Sequence, residues 1–204
     1  MEVSDEEGKL MVKEARNIIE SVIKGLKPKM SYISNLKIAN EKIGVFVTLD
    51  KIFEGKKELR GCIGFPLPQK PLRESLMEAA IASAMEDPRF YPVTKDELDK
   101  ILVKVSLLTE PKLLKVNSPL DYPKRIVIGR DGLMVKWTFG SGLLLPEVPI
   151  EFNWNAEEFL THACIKAGAS PDQWLLKDTE IYTFQTIIFE ELEPRGEVIR
   201  RKYV

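Results

Sequence analysis

The chain has one histidine and two cysteines among 204 residues. That is a poor zinc set, and Cys62 and Cys164 form no Cys-x-x-Cys pair, so no metal site is expected. A cysteine nucleophile usually needs a base, and His162 is the one imidazole in the chain. No sign of charge dominates either. The 30 Lys and Arg against 31 Asp and Glu leave a net charge of −1, so no global field recruits nucleic acid or an anionic membrane. Long apolar runs are missing as well: Gly142-Leu143-Leu144-Leu145 stops at Pro146, far short of the ~20 residues a membrane span needs. Neither Gly61-Cys62-Ile63-Gly64 nor Gly140-Ser141-Gly142 has the spacing of a dinucleotide or phosphate loop, so no cofactor is expected. Few cysteines and no signal-peptide pattern point to a reducing, cytoplasmic setting.

What is present is ordinary for a globular chain, 44% hydrophobic and 30% charged residues, and 204 residues are long enough to bury roughly 70% of the unfolded surface. Ser4 and Glu7 form a capping box, and behind it Met11, Ala15, Ile18, Val22 and Leu26 keep helical spacing until Gly25 and Pro28. Val45, Val47 and Leu49 alternate with Phe46 and Thr48 as a strand, and a charged, glycine-containing stretch leads into a second strand around Arg60 and Cys62. A hairpin is the simplest way to pair the two, making neighbours of Gly44–Leu49 and Glu58–Gly64 with the first helix across them. Pro66, Pro68 and Pro71 form a rigid connector to an alanine-rich helix from about Leu72 to Met85, stopped by Asp87-Pro88. Ile101–Leu107 alternates as a further strand.

From Pro111 to Pro149 the texture changes to short strands, with Arg130-Asp131-Gly132 as a hairpin turn between Val127-Ile128 and Leu133–Trp137. Asn155 and Glu158 cap a helix that Gly168 closes, and Ile181–Phe189 is a long final strand before a charged, exposed tail. The expected fold is α+β: a mainly antiparallel β-sheet flanked by helices, with a smaller β-rich subdomain. The expected division is 1–110 plus 151–195 for the main part and 111–150 for the small one.

The chemistry centres on Leu59-Arg60-Gly61-Cys62-Ile63-Gly64. On a strand, Arg60 and Cys62 share a face, and an adjacent cation lowers a thiol's pKa. Gly61 and Gly64 leave the backbone open to close approach by a ligand or by another part of the chain. The bland alternative is a buried cysteine acting as a small hydrophobe. Arg89 in Asp87-Pro88-Arg89-Phe90 is either a second cation able to grip an anion or a staple for its own loop. Glu147, held rigidly between Pro146 and Pro149, is either an acid, base or ligand, or a partner for Arg60 or Arg89. His162 points away from the apolar stripe of its helix, and Cys164 lies within that stripe as a core residue.

Seven segments, in order along the chain, resemble the AMMECR-one family. They are Phe46-Val47-Thr48, Leu59-Arg60-Gly61-Cys62-Ile63-Gly64, Asp87-Pro88-Arg89-Phe90, Thr94-Lys95-Asp96-Glu97-Leu98, Val105-Ser106-Leu107-Leu108-Thr109, Leu145-Pro146-Glu147-Val148 and Cys164-Ile165-Lys166-Ala167-Gly168. The resemblance implies a large sheet-and-helix domain joined to a smaller β-rich one. Through gene neighbourhood and fusion it also implies association with Memo-like and radical-SAM proteins, and so a part in a modification pathway, with RNA as one candidate substrate. The composition lends RNA no support of its own. Two functional readings follow. One is a binding or accessory protein with a site for a small anionic ligand at Arg60, Gly61, Gly64 and Arg89. The other is an enzyme using Cys62 with Arg60, Arg89 and Glu147.

Overall fold

A computed structural model describes residues 2–67 and 69–202, so Pro68 of the proline connector lies outside the described residues. The described residues form two compact units, 2–108 with 187–202 and 109–186.

In the first unit, helix α1 (Asp5–Ile23) opens on the Ser4/Glu7 capping box, with both halves formed. Its stripe of Met11, Ala15, Ile18 and Ile19 is fully buried. Strands β1 (Gly44–Phe53) and β2 (Lys56–Phe65) follow, paired antiparallel as expected. Their connection is the two residues Glu54 and Gly55, both at positive φ (49° and 76°), the backbone of a type I′ turn that matches the twist of the strands it joins. Helix α2 (Leu72–Met85) buries Ser75, Ala79, Ala80, Ser83 and Ala84, and these small side chains let it lie close against β1 and β2. Strand β3 (Ile101–Leu108) pairs antiparallel with β1.

The chain then builds the second unit: β4 (Lys112–Leu113), the short helix α3 (Tyr122–Arg125), β5 (Gly132–Trp137), β6 (Gly140–Leu144), the short helix α4 (Val148–Glu151), α5 (Ala156–Lys166) and β7 (Glu180–Phe184). It returns to the first unit with β8 (Thr186–Glu191) and β9 (Val198–Arg201). The sheets run β2-β1-β3-β8-β9 and β4-β7-β5-β6, an α+β architecture.

Four expectations need correction. The single strand 181–189 is two strands in two sheets. The break is at Gln185, whose N–H donates to Thr109 Oγ1 (2.8 Å) and whose carbonyl accepts the Thr109 N–H (2.9 Å). The small unit is larger than 111–150: α5 and β7, expected with the main part, belong to it. The reason is the stripe of Phe159, Leu160, Ala163 and Cys164, which is buried with Leu133, Val135 and Ile181 in a core of that unit. Arg130-Asp131-Gly132 is not a hairpin turn. Asp131 is buried, accepts the Val127 N–H (2.9 Å) and pairs with Arg130, while the hairpin of β5 and β6 closes at Thr138-Phe139. The tail is not wholly free: β9 pairs with β8, and Val198 is buried.

The core side of the large sheet carries Val45, Val47 and Leu49 from β1 with Val103, Val105 and Leu107 from β3, all fully buried. One polar tie crosses this unit. Arg16 on α1 bonds Glu191 on β8 through Nε (3.1 Å) and Nη2, and donates to the carbonyls of Leu98 (3.3 Å) and Ile101 (2.6 Å). Glu191 also accepts the Val103 N–H at 2.9 Å.

Two stability outcomes are expected. Gly61→Ala would place a Cβ 2.1 Å from the Ser83 carbonyl oxygen of α2. Neither backbone can yield cheaply, so the cost should be roughly 3 kcal/mol, seen as a lower urea midpoint at unchanged m. Arg16→Met should cost about 3–5 kcal/mol by stranding the buried Glu191 carboxylate, and adding Glu191→Gln should recover part of that loss.

Candidate functional site

β2 is an edge strand of the large sheet, and the Arg60–Cys62 segment lies where it departs from regular pairing. Gly61 is opposite Leu49 but Leu59 is opposite Asp50, so Arg60 is the extra residue of a β-bulge. The bulge interrupts the alternation expected to put Arg60 and Cys62 on one face. Arg60 turns instead to Glu97, in the short 3₁₀ turn before β3, and binds it bidentately through Nε (2.9 Å) and Nη2 (3.0 Å). Lys51 of β1 reaches the same carboxylate at 2.9 Å. Glu97 also accepts the Thr94 N–H (3.0 Å) and hydroxyl (3.3 Å), closing a capping box. The Arg60 guanidinium, with the other donors, holds the Glu97 carboxyl down at about 2.

Cys62 points the other way. Its cross-strand neighbour is Thr48, whose hydroxyl donates to Cys62 Sγ at 3.2 Å. Burial pushes the thiol above the usual range, although the Thr48 hydroxyl and the charges of Lys104 and Arg89 pull it down. The outward-facing backbone of Cys62, which would invite another strand at a bare edge, is occupied by side chains. Its N–H donates to Asp87 Oδ2 (2.8 Å) and its carbonyl accepts from Arg89 Nη2 (3.2 Å).

Asp87, buried just past the end of α2, binds Arg89 through Nε (2.9 Å) and Nη2 (2.7 Å), and the Arg89 guanidinium holds its carboxyl well below the usual range. Phe90 lies between the two arginines, 5.9 Å from the Arg60 guanidinium and 5.4 Å from that of Arg89. The two glycines serve packing. Gly61 meets the backbone of α2, and a Cβ at Gly64 would fall 2.4 Å from the Phe46 ring and from the Val45 carbonyl.

Arg60, Gly61, Cys62, Gly64 and Arg89 therefore belong to one network in the first unit. Glu147 belongs to the second, buried at the start of α4, where its carbonyl accepts the N–H groups of Ile150 and Glu151 (3.0 Å each). His162, also in the second unit, stacks on Trp154 with centroids 3.7 Å apart and planes 3° from parallel. Cys164 is fully buried in the core of that unit, and burial pushes its thiol up to about 11. Both cysteines are free thiols. Among the described residues no cluster of three or more His, Cys, Asp or Glu could hold a metal, and no helix is long and apolar enough to cross a membrane.

The carboxylate partners of the two arginines come from the fold. Asp87 and Glu97 stand inside the family-like segments Asp87–Phe90 and Thr94–Leu98, and neither is assigned to an arginine from the sequence. The signal was available, since a half-buried arginine needs a carboxylate and Thr94-x-x-Glu97 is a capping box. Thr48 and Lys104 were legible only as polar positions in alternating strands.

This is a two-unit α+β protein in whose first unit the segments Leu59–Gly64, Asp87–Phe90 and Thr94–Leu98 interlock around one edge of a sheet, and the comparisons with known proteins agree on the fold. The family model described as AMMECR1 matches residues 12–189, and the chain belongs to that family. It is 52% identical to protein MJ0810 of Methanocaldococcus jannaschii, over 97% of this chain and 96% of that one. It is 49% identical to protein PYRAB00100 of Pyrococcus abyssi, over 99% and 98%. The crystal structure of the uncharacterized protein PH0010 from Pyrococcus horikoshii superposes with a TM-score of 0.90 at 46% identity, covering 98% of each chain.

The folded-state pKa of Glu97 lies below its unfolded value, so the stability it contributes is present above pH ~4.3 and lost as pH falls toward about 2. Wild type should exceed Glu97→Gln in thermal midpoint at pH 7, and the gap should close across that window. Arg60→Lys, which loses the bidentate geometry, should also lower the midpoint at pH 7.

Proposed function

We propose that this protein acts as a binding or accessory component of an intracellular modification pathway, with its ligand site along the Arg60-Gly61-Cys62 strand and no covalent chemistry at Cys62. One observation carries the reading: each guanidinium of the motif is committed to its own carboxylate, Arg60 to Glu97 and Arg89 to Asp87, so neither is set to activate the thiol. The direction of the Cys62 shift, upward through burial, supports it further. A nucleophilic cysteine needs the opposite shift or an adjacent base. The family association makes Memo-like and radical-SAM proteins the proposed partners. A small anionic group is the proposed ligand.

Iodoacetamide labelling of the native chain against pH tests this. Cys164 is fully buried, so the fast-labelling thiol is Cys62. The expected result is labelling at pH 7 no faster than free cysteine, with an inflection above pH ~8.5. A rate well above free cysteine at pH 7, with an inflection below that of a free thiol, would establish the competing reading of a cysteine enzyme.

A further inference from the structure

A cavity of about 350 Å³ lies in the first unit between α1, the loop that follows it and the turn from β8 to β9. That is the small end of the range for ligand sites, ~300–1,000 Å³. Its lining is polar: Lys13, Arg16, Asn17 and Glu20 from α1, Tyr32 from the loop, Glu191 from β8 and Arg195 from the turn. Such a lining suits a small charged molecule rather than an apolar one.

Carboxylates hold each part of the wall in place. Glu14, fully buried on α1, accepts the backbone N–H groups of Ser31 (2.9 Å), Tyr32 and Ile33 (3.1 Å), which fixes the loop that carries Tyr32. In the turn, Pro194 is followed by Arg195 at φ 60°, the left-handed region that favours glycine, and the Gly196 N–H donates to the Glu193 carbonyl at 2.9 Å. Arg195 is kept there by its Nε bond to Glu20 (2.6 Å) and its Nη1 bond to Asp99. At the buried end stands the pair of Arg16 and Glu191, whose nitrogens and oxygens are all engaged.

The groups left over are donors. Of the five charged side chains in the lining, four are paired, Arg16 with Glu191 and Arg195 with Glu20, and Lys13 forms no ion pair among the described residues. Beyond the lining, Lys24 on Glu20 and Asp99 on Arg195 offset each other, and Glu193 lies against Gly196 at the rim. The Tyr32 hydroxyl and Arg195 Nη2 make no hydrogen bond among the described residues. A negatively charged acceptor in the cavity supplies what each of these donors lacks. We propose that this cavity binds a small anion, a carboxylate or phosphate group, with the Lys13 ammonium as its counter-charge and the Tyr32 hydroxyl as a neutral donor. An ammonium on a flexible stem holds either kind of group as a point charge. The site is built from residues other than those of the motif strand and does not rest on the reading given to that strand.

Proton–nitrogen correlation NMR of the full chain tests it, in rising inorganic phosphate and, separately, in rising acetate at constant ionic strength. In wild type the backbone amides of Asn17, Tyr32 and Gly196 should shift along one saturation curve, and the anion bound more tightly identifies the preferred group. The affinity should fall about fivefold in Lys13→Met, which keeps the aliphatic stem, by the Boltzmann factor for opposite unit charges ~4 Å apart in water. A similar fall, roughly fivefold, is expected in Tyr32→Phe, the typical worth of one hydrogen bond. Lys136→Met, at an exposed lysine of the second unit, should leave the affinity unchanged.

No saturable shift with either anion, shifts confined to residues outside the cavity, or a wild-type affinity retained in Lys13→Met or Tyr32→Phe overturns the proposal. Both variants alter exposed side chains, so the fold should survive them. The thermal midpoint in rising phosphate gives a second reading. A rise in wild type that shrinks in Lys13→Met supports the anion site, and an equal rise in both, or none in either, overturns it. Failure here leaves the non-catalytic reading of Cys62 standing, since that depends on thiol labelling alone.

Discussion

The Glu97 carboxylate is the point on which the first unit's sheet edge depends. It binds Arg60 at the β-bulge of β2, Lys51 near the end of β1, and the N-terminal cap of the 3₁₀ turn that leads into β3. Each of these groups would leave an unmatched charge or donor if the carboxylate were lost, and in a partly buried setting that is costly. One short acidic side chain therefore fixes where β2 deviates from regular pairing. That in turn decides that Arg60 faces Glu97 and Cys62 faces Thr48.

A second carboxylate, Asp87, does comparable work on the other side of Cys62. Through it and Arg89 the loop after α2 occupies the backbone edge that another strand would otherwise seek, while Gly61 brings β2 against the Ser83 carbonyl of the same helix. Segments far apart in sequence, Leu59–Gly64, Asp87–Phe90 and Thr94–Leu98, thus make one interlocked structure. In this chain the contacts of Arg60, Gly61 and Gly64 are with neighbouring parts of the fold.

Local signals were readable wherever the energetics are local. The capping boxes at Ser4 and Asn155 formed as expected, because each needs only residues three apart. The β1–β2 hairpin followed from alternation on both sides of a short polar link, and the stripe of Phe159, Leu160, Ala163 and Cys164 was buried as its spacing required. Asp131, by contrast, looked like a turn residue and is a buried acceptor, because its partners are Val127 and Arg130 rather than a hairpin.

Composition and periodicity by themselves determined the α+β class, the main helices, the β1–β2 pairing and the strand that carries Arg60 and Cys62. Tertiary structure alone decided that residues 181–189 serve two sheets, since Gln185 is recruited by Thr109, a residue 76 positions away. It alone assigned α5 to the second unit, because an apolar stripe announces that it will be buried but not against what. The bulge at Arg60 was likewise invisible in the sequence. Alternation assumes an unbroken ladder, and a one-residue slip that turns a side chain to the other face is settled only by the carboxylate waiting there.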